Sequence, residues 1–592
     1  MIVKMKKLIL LCTRKETDST LRELRSLGAV HVEHVKTPKG TDVEKARNDL
    51  KYVRQALELL PHGGAEPSGR DGHAVIEDIW KIIHERSELE EHIEDMRHER
   101  KRILPFGDFD PETVKHIEAD GLKVCLCKTG PKKERPATPD GSMLTELSRD
   151  KDGIYYALIA QENVEIDAHP VRLPSISLTK MEEEIAAMTV ALEENAERLE
   201  SYAGDRVAVE NIMATVEENL TYLETRGGMG VESEVAYLRG YLPVDRVDDL
   251  VAVAAERGWG YRIDNPAETD KPPTLIRNPR WINIIRPVFD FMGISPGYNE
   301  VDISLLFLVF LSIFFGMIVG DAGYGALFLA TTLLLRKKMR TLSPLIVPLL
   351  VVMSVCTIIW GVLQGQYFSM NAAPAVFEGL KVGWLSSNDN IMFLCFLIGS
   401  VHITLAHGWS AIRRINSLQA LAQVGWICTT WFMFFVIRTM VLGAVWHSYY
   451  FILLGMGVFL IAFFMTPWRS LKSEWFNHVM LPLDLISNFV DVVSYVRLFA
   501  VGLATFAVGN AFNNMAVGSG IHSVLAGFGA AAVLFVGHAL NIVMAIMSVL
   551  VHGIRLNTLE FSGHLGMEWS GTKFEPFATR IKDTDGDKEN VK

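Results

Sequence analysis

Cysteine is scarce in this chain, with six among 592 residues. Cys12, Cys125, Cys127, Cys356, Cys395 and Cys428 show no metal-ligand spacing, and three of them lie in apolar runs. That pattern excludes a disulfide framework and a cysteine-built metal centre, and leaves the thiols as small buried hydrophobes. An excess of basic charge is missing as well. The formal net charge is −11 and the pI about 5.9, which argues against nucleic acid as a partner. No nucleotide site is legible. "GMEWSGTK" at 566–573 nearly spells a phosphate loop, but Thr572 precedes Lys573 and no strand–loop–helix unit surrounds it. "GDAGYG" at 320–325 resembles a glycine-rich nucleotide loop, yet it joins two apolar runs. There is no nucleophile–base constellation, so no catalytic site and no cofactor are expected. The opening "MIVKMKKLILLCTRKE" imitates a signal peptide, but its apolar core of five or six residues is too short. The N-terminus is therefore expected in the cytoplasm.

What is there is unevenly spread. Hydrophobic residues make up 49% and charged ones 21%, with a mean hydropathy of +0.20. Residues 1–285 are charged, whereas 303–562 is a succession of long apolar runs. In the first half, "MKKLILLCTRKETDSTLRELRSLGAVHVEHV" reads as strand, helix, strand, and a similar unit recurs at 235–264. Two small α/β lobes are expected, at about 1–40 and 235–265. Helices with coiled-coil spacing lie between them, at about 42–104 and 175–225. Val75, Ile79, Ile82, Leu89, Ile93, Met96 and Ile103 follow steps built from three and four. Leu178, Met181, Ile185, Met188, Leu192, Leu199, Tyr202, Val209, Met213, Val216, Leu220 and Leu223 keep one a/d register, interrupted only by Asn195 and Arg206. The expected product is a long antiparallel rod with a lobe at each end.

The second half, 286–562, reads as an all-α membrane domain. Eight candidate spans fall at roughly 303–320, 322–336, 343–364, 391–408, 421–443, 449–467, 480–512 and 523–560. With a cytoplasmic N-terminus, the inside connections hold Arg336, Lys337, Lys338, Arg340, Arg413, Arg414, Arg469 and Lys472, and the opposite loops hold only Lys381. That asymmetry puts both termini, including the tail 563–592, in the cytoplasm. The last two spans exceed the ~20 residues of a perpendicular helix and are expected to be tilted.

Those two spans also carry the polar residues. Span seven has Asp484, Asn488, Asp491, Ser494, Tyr495 and Arg497; span eight has His538, Asn541, Ser548, His552 and Arg555. At about 100° per residue, the five in span eight fall within one arc of roughly 100°. Arginine cannot deprotonate in a protein, and a charge at such depth costs about 3 kcal/mol or more. Two readings stand: arginines paired to lock helices, or fixed cations on a water-lined ion path. A secondary ion transporter with a cytoplasmic regulatory rod is the rival from another class. It requires inverted repeats with broken helices, and no convincing repeat is present.

Several motifs together resemble the membrane-embedded stator subunit of rotary V/A-type ATPases, called subunit a or subunit I, in its prokaryotic form. They are "NPRWINIIRPVFDFMGISPGYNEVDIS", "FFGMIVGDAGYG", "WGVLQGQYF", "SYVRLFAVGLA" and "HGIRLNTLEF". The likeness spans essentially the whole chain. It implies that the family's two essential arginines are Arg497 and Arg555, that its acidic residue after the second is Glu560, and that Gly320, Asp321 and Gly325 belong to the motif between the first two spans. By the same resemblance Asp491, Ser494, His538, Asn541, Ser548, His552 and Glu560 are candidate channel-lining residues. The implied function is ion translocation through two half-channels in a prokaryotic inner membrane. The implied partners are a rotor ring of small subunits with an intramembrane carboxylate, peripheral-stalk coiled-coil subunits, a central-stalk membrane adaptor and the lipid bilayer. Three departures from the pattern stand out: "DIS" at 302–304 replaces a frequent Asp-Pro, and Ala545 and Thr505 replace a vacuolar glutamate and histidine.

Overall fold

The computed structural model describes residues 1–61, 69–131, 133, 135–138, 140–162, 166–336, 343–370, 377–467, 472, 474–518, 520 and 523–579. Four of the basic loop residues, Lys337, Lys338, Arg340 and Arg469, lie outside the described residues, as does 580–592 of the tail. The chain divides into two compact units. One comprises 1–10, 29–31 and 240–576; the other comprises 11–28, 32–239 and 577 onward.

The two strand–helix–strand stretches do not form separate lobes. β1 (Met5–Thr13), α1 (Thr17–Leu27) and β2 (His31–Glu33) come from the first. β7 (Gly230–Glu232), β8 (Val235–Pro243), α7 (Val247–Arg257) and β9 (Gly260–Asp264) come from the second. Their strands interleave in one sheet of order β2-β8-β1-β9, with β7 on the outer part of β8. The physical reason is edge satisfaction. A two-stranded unit is marginal in water, whereas three or more strands can bury a hydrophobic face, and Leu8, Leu10 and Leu242 are buried.

The second lobe lies where the sequence reading found no element. β3 (Lys123–Thr129), β4 (Ser142–Arg149), β5 (Ile154–Ala160) and β6 (His169–Val171) form a sheet of order β4-β5-β3-β6. β5 pairs antiparallel with both β3 and β4. Alternation puts Tyr156 with Leu144 and Leu158 on one side and Tyr155 with Leu126 and Phe106 on the other.

Long helices connect the strands. α2 (Thr41–Leu59) packs on α6 (Arg206–Gly228), and α3 (Gly72–Ile103) on α5 (Leu178–Ser201), with α4 (Pro111–Ala119) between α3 and β3. Ion pairs Arg47–Glu224, Arg54–Glu217, Glu85–Arg198 and Arg100–Glu182 run up one helix as they run down the other, so the pairing is antiparallel. The two interruptions of the apolar register have uses. Asn195 is buried and accepts from Arg198 at 2.9 Å. Arg206 donates to the carbonyls of Leu57 and Leu60 at 3.2 and 2.8 Å, closing the C-terminus of α2.

From residue 280 the chain is helical. After the short α8 (Arg280–Asn283) and α9 (Arg286–Met292) come α10 (Ser304–Val319), α11 (Ala322–Leu334), α12 (Ile346–Gln364), α13 (Asn388–Arg413), α14 (Gln419–Leu442) and α15 (Tyr450–Phe464). α16 (Trp475–Ser494) and α17 (Val496–Val517) meet at Tyr495, and α18 (Val524–Ser548) continues through two π-helical turns, Val549–Gly553 and Leu556–Phe561. Among the described residues, five stretches are long and apolar enough to cross a membrane: α12, α13, α14, Trp475–Val517 and Val524–His564. α10, α11 and α15 are apolar but shorter. Phe307, Phe314, Ile318, Ile403, Tyr495 and Phe561 form the centre of their shared core.

Candidate functional site

Arg497 lies on the first turn of α17, directly after the chain steps out of α16 at Tyr495. Its Nε donates to the Ser494 carbonyl at 3.1 Å, which folds the side chain back along its own helix. Its Nη2 then reaches Glu560 Oε1 at 2.7 Å. Arg555 Nε lies 3.6 Å from the same oxygen. Glu560 is 4% exposed, Arg497 23% and Arg555 53%. Two permanent cations thus share one buried carboxylate, and the cluster carries an excess positive charge. Glu560 Oε2 is buried and has no hydrogen-bond partner among the described residues.

This grouping depends on local helix geometry. On an α-helix at about 100° per residue, Glu560 would sit about 140° around from Arg555. The turn Leu556–Phe561 is π-helical, and its i→i+5 repeat stacks residues five apart. Glu560 therefore lies over Arg555 and faces α17.

A buried histidine system adjoins the cluster. Asp491 Oδ2 pairs with His564 Nε2 at 3.1 Å, and the His564 ring stands edge-on to His407, with centroids 4.8 Å apart. His407 Nδ1 lies 2.8 Å from Gln423 Oε1. His402 lies between the rings of Phe310 and Phe561, with centroids at 3.7 and 4.2 Å. Its Nδ1 meets the Tyr495 hydroxyl at 2.9 Å. His402, His407 and His564 were not singled out from sequence. His402 and His407 lie outside the two spans richest in polar residues, and nothing in the local pattern of α13 marks them.

His538 and Asn541 belong to a different cluster, built on the turn between α10 and α11. Gly320 ends α10 at φ +70°, a left-handed conformation that glycine adopts without strain. Asp321 caps α11, its Oδ1 accepting from Gly323 N and Tyr324 N at 2.7 and 3.1 Å. The same carboxylate accepts from Phe368 N and Ser369 N at 2.9 and 2.6 Å. It thereby holds two non-glycine residues at φ +49° and +58°. Gly325 lets α11 approach α12, since a Cβ there would stand 2.8 Å from Ile358 N. Tyr324, placed by this turn, has its hydroxyl 2.7 Å from His538 Nδ1 and accepts from Asn541 Nδ2 at 3.0 Å. His538 Nε2 meets Asn513 Oδ1 at 3.1 Å. The amide oxygen only accepts, so Nε2 carries the proton and Nδ1 receives the tyrosine O–H. Hydrogen bonds thus run in one direction, from Asn541 through Tyr324 and His538 to Asn513, and on to the Phe368 carbonyl at 2.8 Å.

The structure therefore divides the sequence candidates. Arg497, Arg555 and Glu560 come together, Ser494 contributes its carbonyl, and Asp491 pairs instead with His564. His538, Asn541, Gly320, Asp321 and Gly325 form the second cluster. Ser548 and His552 are half-buried between the two, and His552 Nδ1 has no hydrogen-bond partner among the described residues. Thr505 accepts from Asn541 through its carbonyl at 3.0 Å, and Ala545 is buried in the apolar core. At the "DIS" turn, Asp302 Oδ1 accepts from Ser304 N at 3.0 Å and Oδ2 from the Met1 ammonium at 2.7 Å. An aspartate side chain thus starts α10 without a proline.

No family model matches the chain. It is 30% identical to V-type ATP synthase subunit I 1 of Treponema pallidum, over 98% of this chain and 100% of that one. It is 28% identical to V-type ATP synthase subunit I of Borreliella burgdorferi, over 98% and 99%. An A-type ATP synthase subunit I of Methanocaldococcus jannaschii matches at 26% over 68% of this chain and 64% of that one. Among solved structures, the cytoplasmic N-terminal domain of a V-ATPase subunit I, homolog of subunit a, aligns at 16% identity and a TM-score of 0.24. That alignment covers 44% of this chain and 99% of the other.

Proposed function

This chain belongs to the subunit I family of V-type and A-type ATP synthases, and we propose that it is the ion-translocating stator of such a rotary complex. The observation that supports the reading most directly is the sharing of Glu560 by Arg497 and Arg555 within apolar helices. An excess fixed cation lowers the pKa of any carboxylate brought beside it, whereas a carboxylate facing lipid has its pKa raised by desolvation. A rotor carboxylate that passed Arg497 would discharge its ion there and recharge on leaving. Glu560 holds Arg497 between these events by a contact that an incoming carboxylate can exchange.

In this reading the eight apolar segments all cross the membrane, the shorter ones shielded by their neighbours. The Arg497–Glu560–Arg555 cluster, with Asp491, His564, His552 and Ser548, lies on the cytoplasmic access path. Tyr324, His538, Asn541 and Asn513 line the path to the opposite side, and the buried stretch between them blocks a leak. Residues 1–285 form the cytoplasmic stator domain, and its antiparallel helices act as a coiled-coil rod that resists torque and binds peripheral-stalk helices and a central-stalk adaptor. ATP chemistry belongs to other subunits. Both termini are cytoplasmic, at a prokaryotic inner membrane.

Arg497→Ala tests the assignment. In membranes holding the assembled complex, ATP-driven ion uptake should vanish while the subunit composition stays intact. Near-normal uptake by that variant overturns the reading.

A further inference from the structure

A groove of about 600 Å³ opens beside the start of α10 and the end of α13, lined among others by Lys4, Ile282, Val301, Leu305, Trp409 and Arg413. Two carboxylates border it, and both are engaged. Asp302 accepts from the Met1 ammonium at 2.7 Å. Glu300 accepts from Gly297 N and Glu568 N, each at 2.7 Å. The two basic side chains are not engaged in this way. Among the described residues neither Lys4 nor Arg413 meets a carboxylate, and Arg413 has only the Asn299 carbonyl at 3.3 Å.

Below the groove lies an apolar track. Val401, Leu405 and Trp409 recur every fourth residue on α13 and so share a face whose next member is Arg413. Leu305 and Val309 do the same on α10. All five are 39% to 45% exposed. Phe310 stacks on His402 with centroids 3.7 Å apart, so the two helices meet at that point. A polar groove with two spare cations therefore stands at the head of an exposed two-helix apolar track, and a tryptophan marks the boundary between them.

We infer that this groove holds one anionic phospholipid, its phosphate between Lys4 and Arg413 and an acyl chain along Leu305, Val309, Leu405 and Val401. The inference rests on the reading that the helices of 303–562 cross a membrane, but not on which ion moves or on the role of Arg497. A soluble phosphate would use the cations and leave the track idle; a zwitterionic lipid would use the track and gain little from the cations. Only an anionic lipid uses both.

Native mass spectrometry of the delipidated full-length chain, titrated with phosphatidylglycerol or phosphatidylcholine, tests it. One phosphatidylglycerol should be retained with a preference of roughly thirtyfold over phosphatidylcholine, on the scale expected for two cations at a membrane surface. The Lys4→Ala/Arg413→Ala variant should lose that preference and bind both lipids alike, while Arg413→Lys should keep most of it. Excess glycerol 1-phosphate should not displace the lipid. Three results would overturn the inference: equal retention of the two lipids by the unaltered chain, an unchanged preference in the double variant, or displacement by glycerol 1-phosphate. If the double variant does not fold, Arg413→Gln alone should still reduce the preference by about half of its logarithm. Loss of the ion-pumping role by Arg497→Ala would leave lipid retention unchanged, so the two readings fail independently.

Discussion

Arg497 Nη2 and Glu560 Oε1 stand 2.7 Å apart across 63 residues of sequence, joining the helix after the Tyr495 step to the π-helical end of the next. Neither helix supplies this contact by regular geometry. The step at Tyr495 starts α17 so that Arg497 bends back to the Ser494 carbonyl, and the π turn swings Glu560 into line with Arg555. π turns are rare and concentrate at functional positions. A buried charge pair needs such alignment, because desolvating both ions is repaid only by close geometry.

Glu560→Ala leaves Arg497 without its buried partner. Losing one member of a buried pair costs about 3 kcal/mol or more, and ATP-driven ion uptake should fall by an order of magnitude or more. Deleting Thr558 turns the π turn α-helical and puts Glu560 four residues after Arg555, about 40° around the helix, so the pair should persist and uptake should fall less. Normal uptake by Glu560→Ala, measured in native membranes, would show that the pair is not needed.

Topology can be checked at two exposed loop residues. In a chain otherwise free of cysteine, Ser417→Cys should react with an impermeant thiol reagent only from the cytoplasm. Ser448→Cys should react only from the outside. Both lie in described, exposed turns, so burial does not confuse the result. The reverse pattern would invert the membrane domain.

Within the antiparallel helices, Val209 is fully buried in a cluster with Val53, Ala56, Val75 and Ile79. Val209→Asp should destabilise the helices by about 3 kcal/mol, since an unpaired charge in an apolar seam is costly. Leu192→Asp, at a half-exposed position, should cost less. Hydrogen exchange of α5 and α6 in the full-length chain should rank them in that order, and equal protection of both variants would mean the seam is not tightly packed.

Asp302 gives a pH signature. Burial raises its pKa, but hydrogen bonds from the Met1 ammonium and Ser304 outweigh that and leave it below the ordinary 3.8. A depressed carboxylate stabilises the fold fully above its unfolded pKa, and the contribution is lost as pH falls through the lower folded value. Thermal stability should therefore drop below about pH 4 in the unaltered chain, and Asp302→Asn should flatten that part of the profile. An unchanged acid limb in the variant would count against the pair.

Sequence patterns reached far in some places. Helices do form at about 175–225, but not as the one continuous helix expected: a tighter turn at Tyr202–Asp205 divides the stretch into α5 and α6. Arg497, Arg555 and Glu560 were selected by motif, and they meet in space. Elsewhere the pattern was too local. The sheet of β3 to β6 lies between two long helices, and its central strand β5, "IYYALIA", is apolar throughout and shows no alternation. β1 and β8 each read as part of a separate lobe because nothing in either segment records that they are neighbours in one sheet. Strand order is decided by which edges satisfy one another, and that is a property of the assembled sheet.

What the sequence determined by itself is the inventory: an apolar half able to form several membrane-length helices, a charged half with long paired helices, and two arginines where charge is expensive. Those follow from composition and spacing, which act along one helix at a time. The tertiary structure decided the company each charge keeps. An ideal helix wheel separates Glu560 from Arg555, and a single polar arc groups His538 with His552. The π turn reverses the first result. The roughly 1.5 Å rise per residue undoes the second, carrying His538 to Tyr324 while Arg555 stays with Glu560. A charge buried in an apolar core is stable only with a partner within a few ångströms, and which partner that is depends on how separate helices pack, not on the spacing within any one of them.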